Sequence, residues 1–256
     1  MVELIHDLRA ELVRANLQRL REEIAEAAQR AGGSRGAGAG GGARARESSA
    51  VGEPGPGEIP GAPGEIPGAP VEILAATKYV PVEELPALAA AGVRLVGENR
   101  AQDLERKVAA HGELFEWDFI GALQSRRVRA IVPHVRLIHS LASESALAEL
   151  ERHRAQARPG LRVLLQVNVA GEPGKAGIPP AQIGRYLERC ALPVAGLMTM
   201  PPLAARAERS RRWFAALREL AGRHGLEQLS MGTSQDYLVA VEEGATIVRI
   251  GTSLYH

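Results

Sequence analysis

The chain has 256 residues, of which 45% are hydrophobic and 24% charged, so it is long enough for one domain with a sizeable core of its own. Thirty-one basic and thirty acidic residues leave a net charge of +1, and the single cysteine, Cys190, excludes an intramolecular disulfide and a cysteine-rich metal site. Because no apolar run reaches the roughly 18–20 residues of a membrane span and the N-terminus does not resemble a signal peptide, we expect a cytoplasmic protein with no nucleic-acid or membrane partner.

The first thirty residues predict a helix. Apolar side chains recur there at helical spacing, which indicates one amphipathic helix over residues 2–31 that packs on the domain. The positions are Ile5, Leu8, Leu12, Leu20, Ile24 and Ala27.

Residues 32–70 have a different composition. Glycine, alanine, proline and serine dominate, and the heptapeptide GEIPGAP occurs twice in tandem, at 57–63 and 64–70. Such a segment cannot bury enough apolar surface to offset the entropy of ordering it. We therefore predict a disordered, low-complexity insertion without chemistry of its own.

From residue 71 onwards, short apolar runs alternate with helix-like segments. Eight runs are predicted as buried strands, at 71–77, 93–97, 117–121, 136–140, 161–169, 193–200, 226–232 and 245–251. Seven helices are predicted between them, at 82–91, 100–110, 123–132, 143–156, 179–191, 203–224 and 235–243. This alternation favours parallel βαβ units, and eight of them predict an α/β fold, a single (β/α)8 barrel of the TIM type over residues 71–256.

A doubly wound open sheet is the alternative architecture. It usually has a glycine-rich turn after its first strand, and no such turn follows the run ILAATK. The pattern also lacks a helix after the eighth strand, and we expect the N-terminal helix to cover that gap.

A lysine follows the first predicted strand directly. Active sites of (β/α)8 barrels lie at the C-terminal ends of the strands, which is where Lys78 falls. A lysine at the mouth of an apolar barrel would be partly desolvated, which favours a neutral amine able to form a Schiff base with a carbonyl. The structural alternative is a lysine whose stem covers apolar surface while its ammonium stays in water.

The loops after the seventh and eighth strands predict a phosphate site. Residues 230–236 and the pair Gly251-Thr252 are rich in small residues, whose backbone N–H groups can converge on an anion. Arg249 precedes this pair on the eighth strand and can donate a hydrogen bond to a ring nitrogen or to a substrate oxygen. A Schiff-base lysine facing a phosphate site leaves two classes open, a class I aldolase acting on a sugar phosphate and a pyridoxal phosphate protein. No metal-ligand pair of the HxH or HExxH type is present.

At these residues the chain resembles a known family, the YggS/PROSC-type pyridoxal phosphate homeostasis proteins, which share the barrel of the alanine racemase N-terminal domain. The matching segments are ILAATKYVP (73–81), GVRLVGENRAQD (92–103), WDFIGALQS (117–125), HS (139–140), VLLQVNVAGEPGKAGI (163–178), GLMTMPP (196–202), LSMGTSQD (229–236) and EEGATIVRIGTS (242–253). They cover nearly all of the chain from residue 71. The chain departs from the usual family pattern at Asp118, where histidine is usual before FIG, and at Arg126, Arg127 and Thr233.

The resemblance implies a role for each candidate site residue. Lys78 would hold pyridoxal 5′-phosphate (PLP) as a Schiff base, and Arg249 would face the pyridine nitrogen. Asn99 would lie near the ring, while Ser234, Gly251 and Thr252 would hold the phosphate.

The implied function is a PLP-binding protein of intracellular PLP homeostasis that does not carry out substantial catalysis. Its partners would be PLP and PLP-dependent apoenzymes as recipients, and its assembly a monomer or a weak dimer. The alternatives are a small fold-type III PLP enzyme, such as an amino-acid racemase, and a Schiff-base aldolase.

Overall fold

The computed structural model describes residues 4–36 and 71–256, and in it eight parallel strands close into a barrel in chain order. The strands are β1 (Glu72–Ala76), β2 (Leu95–Glu98), β3 (Glu116–Phe119), β4 (Leu137–Leu141), β5 (Arg162–Gln166), β6 (Val194–Met198), β7 (Gln228–Thr233) and β8 (Ile247–Ile250). Strand β1 pairs with both β2 and β8, which closes the ring. The predicted barrel and all eight predicted strands are confirmed.

Helices surround the barrel in the described part of the chain. They are α1 (Ala10–Gly36), α2 (Leu85–Ala90), α3 (Ala101–His111), α4 (Val128–Ile131), α5 (Glu144–Arg152), α6 (Ile183–Arg189), α7 (Arg211–Arg223), α8 (Tyr237–Glu242) and α9 (Thr252–Tyr255). The seven predicted inter-strand helices are all present, most of them shorter than predicted. The prediction for the start of the sixth inter-strand helix is wrong: 203–206 are not helical, and Leu203, 85% exposed, has no buried contact to hold it in a helix.

The N-terminal helix begins later than predicted. Residues 4–9 are not helical, and α1 starts at Ala10 because Asp7 adopts a positive φ of 56°. The backbone N–H groups of Asp7 and Leu8 donate to the Glu84 carboxylate, at 2.9 Å each, so tertiary hydrogen bonds replace helical ones in this segment. At its other end α1 continues to Gly36, and residues 37–70 of the predicted insertion lie outside the described residues.

The core has two layers. A small inner cluster fills the barrel, and it consists of Leu74, Leu137, Leu164, Met198 and Ile247. A larger cluster lies between the outer face of the strands and the helices, where each helix buries one apolar side. With both faces covered, the strands are near-continuous apolar runs, as is typical of parallel sheets.

Helix α1 covers the gap that the sequence pattern left after β8. It packs on α8, α9 and α2. Asn16, a buried polar residue on α1, donates through Nδ2 to the carbonyl oxygens of Leu254 and His256, at 3.2 Å each. The short helix α9, which the sequence pattern did not predict, is therefore bound to α1. Within the described ranges, the helices are all too short or too polar to cross a bilayer.

Candidate functional site

The six predicted site residues lie on four consecutive strands or directly after them. In the order of the ring these are β7, β8, β1 and β2. The paired registers set Leu74 beside Arg249 and Ala75 beside Val96, so the ends of these strands form one continuous half of the barrel mouth. The residues are Ser234 after β7, Arg249 on β8, Gly251 and Thr252 after β8, Lys78 after β1 and Asn99 after β2.

Lys78 is exposed at this mouth. Its Nζ lies 4.5 Å from the centroid of the Tyr79 ring, a cation–π contact at the surface. The expected partial desolvation of its amine is therefore wrong for this structure, because the side chain extends from the strand end towards solvent. Its amine is accessible to a carbonyl compound that enters the mouth.

Behind Lys78 lies a buried ion pair that sequence reasoning missed. Glu98 at the end of β2 and Lys107 on α3 form the pair, and their side chains are 0% and 3% exposed. Thr77 Oγ1 donates to Glu98 Oε1 at 2.7 Å, and Lys107 Nζ donates to the Thr77 carbonyl at 2.7 Å. We call Thr77, Glu98 and Lys107 the Glu98 cluster. The signal for it was the position of Lys107 on the buried face of α3, three residues after Leu104.

A tyrosine on α9 holds the last residue of β1, directly before Thr77. Tyr255 on α9 donates from its hydroxyl to the Ala76 carbonyl at 3.1 Å. Burial raises the pKa of the Tyr255 hydroxyl above its usual range, and the nearby Glu98 carboxylate raises it further. The backbone that leads to Lys78 is thus fixed by Tyr255 and by the Glu98 cluster.

Hydrogen bonds to the hydroxyl group of Ser234 connect the loops after β7 and β8. Ser234 Oγ accepts hydrogen bonds from the backbone N–H groups of Gly251, at 3.1 Å, and Ser253, at 3.4 Å. Gly232 has a φ of +90°, and a Cβ there would lie 2.6 Å from the Ala240 Cβ, so only glycine permits this tight turn. Converging N–H and hydroxyl donors are suited to a phosphate group.

Arg249 is a buried cation beside a cavity. Its Nη1 donates to the Ser230 carbonyl at 2.9 Å and to Ser230 Oγ at 2.5 Å, and its Nη2 donates to the Thr199 carbonyl at 3.0 Å. Burial lowers the pKa of Arg249 to about 10, opposed by the charge of Asp236. Among the described residues, no carboxylate lies within ion-pair distance of the guanidinium.

The cavity at the mouth has a volume of about 440 Å³. Arg249, Gln166, Met200, Thr233 and Asp236 are among the residues that line it, and Arg249 is the one predicted site residue that does so. A site of this size accommodates a small ligand, and it joins apolar side chains to a few polar groups, as ligand sites usually do.

Other polar residues near the ends of the strands have structural partners. Thr199 Oγ1 donates to the Val167 carbonyl at 3.0 Å, and Asn168 Nδ2 donates to the Glu172 carbonyl at 2.9 Å. His139 does not reach the mouth. Its ring is fully buried inside the barrel.

The chain is similar to known proteins over most of its length. The model of the alanine racemase N-terminal domain family matches residues 75–256. A pyridoxal phosphate homeostasis protein of Aquifex aeolicus is 40% identical over 193 residues, which are 71% of this chain and 85% of that protein. A second such protein, from Pseudomonas aeruginosa, is 39% identical over 189 residues, which are 71% of this chain and 82% of that protein.

The chain is also similar to proteins of known structure. PipY of Synechococcus elongatus PCC7942, solved with PLP bound, matches with a TM-score of 0.64 and 33% identity, over 73% of this chain and 92% of that chain. Alanine racemase of Corynebacterium glutamicum matches with a TM-score of 0.62 over 99% of this chain and 63% of that chain, but at 14% identity, which shows a shared fold alone.

Proposed function

This chain belongs to the pyridoxal phosphate homeostasis proteins of the alanine racemase N-terminal domain family, and from that membership we propose that it binds PLP at the barrel mouth and contributes to PLP homeostasis. The observation that carries the proposal is Arg249, a buried guanidinium beside the cavity. Its Nε–H donates to none of the described residues. An unpartnered N–H donor on a buried guanidinium beside a cavity fits the unprotonated nitrogen of a pyridine ring, which is an acceptor.

Other residues of the mouth fit the remaining groups of PLP. Ser234 Oγ accepts from the N–H groups of Gly251 and Ser253 and keeps its own proton to donate to the phosphate, and Thr252 supplies a second hydroxyl in the same loop. Asn99 Oδ1 is buried without a hydrogen-bond partner among the described residues, so it is free to accept a hydrogen bond from a ligand.

PLP supplies an aldehyde that condenses reversibly with a primary amine, and we assign Lys78 as that amine. The sequence contains three lysines, Lys78, Lys107 and Lys175. Lys107 is committed to the Glu98 cluster, whereas Lys78 is exposed after β1, next to the strands that carry Arg249 and Asn99.

The test uses borohydride, which fixes a lysine–PLP linkage. The purified protein is incubated with PLP, reduced, digested and mapped by mass spectrometry. We expect the phosphopyridoxyl group on Lys78, its loss in Lys78→Ala, and its retention in the control Lys175→Ala, which changes the lysine that lines the cavity. An adduct that maps to Lys175 in the wild-type protein would show that the assignment of Lys78 is wrong.

We propose that the role is that of a carrier rather than a catalyst. An arginine at the ring nitrogen disfavours the protonated pyridinium that best stabilises a carbanion. Racemisation also needs an acid–base group on each face of the substrate, and Tyr255 is unsuited because its hydroxyl donates to the Ala76 carbonyl. We expect no conversion of L-alanine to D-alanine above that given by free PLP. Turnover that disappears in Lys78→Ala would instead support the racemase alternative.

The exposure of Lys78 supports exchange of the cofactor with other amines, as a supply of PLP to apoenzymes requires. In a transfer assay, protein loaded with PLP is mixed with a PLP-dependent apoenzyme, and recovery of that enzyme's activity is compared with an equal concentration of free PLP. Recovery slower than with free PLP and limited by simple dissociation would argue against direct delivery.

A further inference from the structure

A hydrogen-bonded network crosses the interior of the barrel and ends on Arg249. His139 Nε2 lies 3.0 Å from Asp118 Oδ2, and His139 Nδ1 lies 2.8 Å from Ser230 Oγ, which accepts from Arg249 Nη1. All four residues are buried. We call Asp118, His139, Ser230 and Arg249 the core network. It lies on β3, β4, β7 and β8, so no local sequence motif contains it.

The partners fix the direction of each hydrogen bond. Burial lowers the pKa of His139 below its ordinary value. The hydrogen bond and charge of Asp118 oppose this shift, and the charges of Arg249 and Arg136 add to it, so the imidazole is neutral near pH 7. A carboxylate can only accept, which assigns the imidazole proton to Nε2 and leaves Nδ1 as an acceptor. Ser230 then donates its hydroxyl proton to Nδ1, and its oxygen accepts from Arg249. Each hydrogen bond of the core network therefore has one direction, from Arg249 to Ser230, from Ser230 to His139 and from His139 to Asp118.

The core network connects a surplus negative charge at one end to the buried positive charge of Arg249 at the other. Arg136 lies between two carboxylates, 2.8 Å from Glu72 Oε1 and 2.9 Å from Asp118 Oδ1, which leaves one negative charge in surplus. Among the described residues, Arg249 has no carboxylate within ion-pair distance, and the Asp236 carboxylate acts on its positive charge from farther away. Because an isolated buried charge is costly, the surplus on Asp118 and the charge on Arg249 stabilise each other through His139 and Ser230.

We propose that Asp118, His139 and Ser230 are positioning residues for PLP, which hold the guanidinium of Arg249 with Nη1 on Ser230 and so keep its Nε–H available to the ring nitrogen. This inference rests on the proposed binding of PLP.

A double-mutant cycle tests the connection. We expect Ser230→Ala and Asp118→Asn each to weaken PLP binding, by about tenfold for the loss of one hydrogen bond to a charged group. Because Ser230→Ala already breaks the core network, Asp118→Asn should weaken binding by less than about twofold in that background. The control is Ser140→Ala, which removes a buried hydroxyl on β4 that donates to the Gly121 carbonyl instead, and it should leave the affinity unchanged. Additive effects of the two substitutions would overturn the proposal.

A measurement without PLP keeps the inference separate from the proposed function. In the ¹⁵N spectrum of the histidine-labelled apoprotein at pH 7.5, His139 should be neutral with its proton on Nε2. A proton on Nδ1, or a doubly protonated ring, contradicts the core network whether or not the protein binds PLP. If wild-type protein binds no PLP while His139 has the expected tautomer, the proposed function fails and the positioning role fails with it, although the hydrogen bonds stand.

Discussion

Single residues at the ends of strands were the predictable part of the site. Lys78, Ser234 and Arg249 follow from counting along apolar runs, because the C-terminal ends of parallel strands in a closed barrel share one mouth. The partners of these residues were not predictable. Ser230 contacts both His139 and Arg249, and these contacts depend on the register of strands far apart in the sequence.

At the phosphate end of the proposed site, two hydroxyl groups can be removed one at a time. Ser234→Ala and Thr252→Val each delete a donor to a dianion, so we expect each to weaken PLP binding by about 1.5–3 kcal/mol, or roughly ten- to a hundredfold in Kd. Fluorescence titration with PLP measures the change. Ser145→Ala on α5 is the control, since its exposed hydroxyl is remote in sequence from both loops. Unchanged affinity in both variants would locate the phosphate elsewhere.

His139 makes the free energy of unfolding depend on pH. Burial lowers its pKa in the folded state from the ordinary 6.5, so below pH 6.5 the unfolded chain binds a proton that the folded chain does not. The contribution of His139 to the free energy of unfolding is therefore fully present above pH 6.5 and is lost as the pH falls from 6.5 towards the folded-state pKa.

The expected loss from this one group is at most about 1.4 kcal/mol between pH 7.5 and 5.5. Urea unfolding of the apoprotein at the two pH values measures it, and His139→Gln should show a smaller decrease than the wild type. The matched control is His134→Gln, which changes a partly exposed histidine just before β4. If His139→Gln retained the full pH dependence, another group would be its source.

At the scale of elements, apolar runs buried on both faces predicted all eight strands. The first residues of the helices were harder to predict, because several helices begin with a short 3₁₀ turn, as at Ser125–Arg127 and Pro180–Gln182. The start of α1 could not be derived from periodicity, since the hydrogen bonds from Asp7 and Leu8 to Glu84 connect segments 76 or more residues apart. Tertiary contacts decided these boundaries.

The Glu98 cluster joins α3 to the ends of β1 and β2, and one substitution tests its contribution to the stability of the fold. Lys107→Met leaves the Glu98 carboxylate buried without its cation, so we expect a loss of about 3–5 kcal/mol in the free energy of unfolding. The exposed pair of Arg106 and Asp103 on the same helix is the control, and Arg106→Ala should cost no more than about 1 kcal/mol.

A double variant separates an unpaired charge from lost packing. Glu98→Gln combined with Lys107→Met removes both charges, so it should be more stable than Lys107→Met alone. Denaturant unfolding compares the three proteins. If the double variant is no more stable than Lys107→Met, the loss comes from packing of the Lys107 stem and not from the unpaired Glu98 carboxylate.

At the scale of the whole molecule, α1 completes the outer layer of the barrel. It packs between α8 and α2, and its neighbour α9 carries Tyr255, which holds the strand that leads to Lys78. The segment before α1 contacts the same region, because the Ile5 N–H donates to the Tyr79 carbonyl at 2.9 Å. The N-terminal helix is thus connected to the backbone on both sides of the proposed PLP lysine.

This arrangement predicts that α1 unfolds together with the barrel. Leu20 on α1 is fully buried, and Leu20→Ala should lower the free energy of unfolding by about 2–5 kcal/mol, the range for large-to-small changes in a core. Gln18→Ala, at an exposed position of the same helix, should change it by less than about 0.5 kcal/mol. Two probes report on different parts of the molecule. Far-UV circular dichroism follows α1, which contributes strongly as the longest described helix, and fluorescence follows Trp117, buried on β3, in a Trp213→Phe background that removes the second tryptophan of the chain. Since the outer layer is continuous, both probes should give one coincident transition in Leu20→Ala. A loss of helical signal before the Trp117 transition would show that α1 is a separate unit which the barrel does not need.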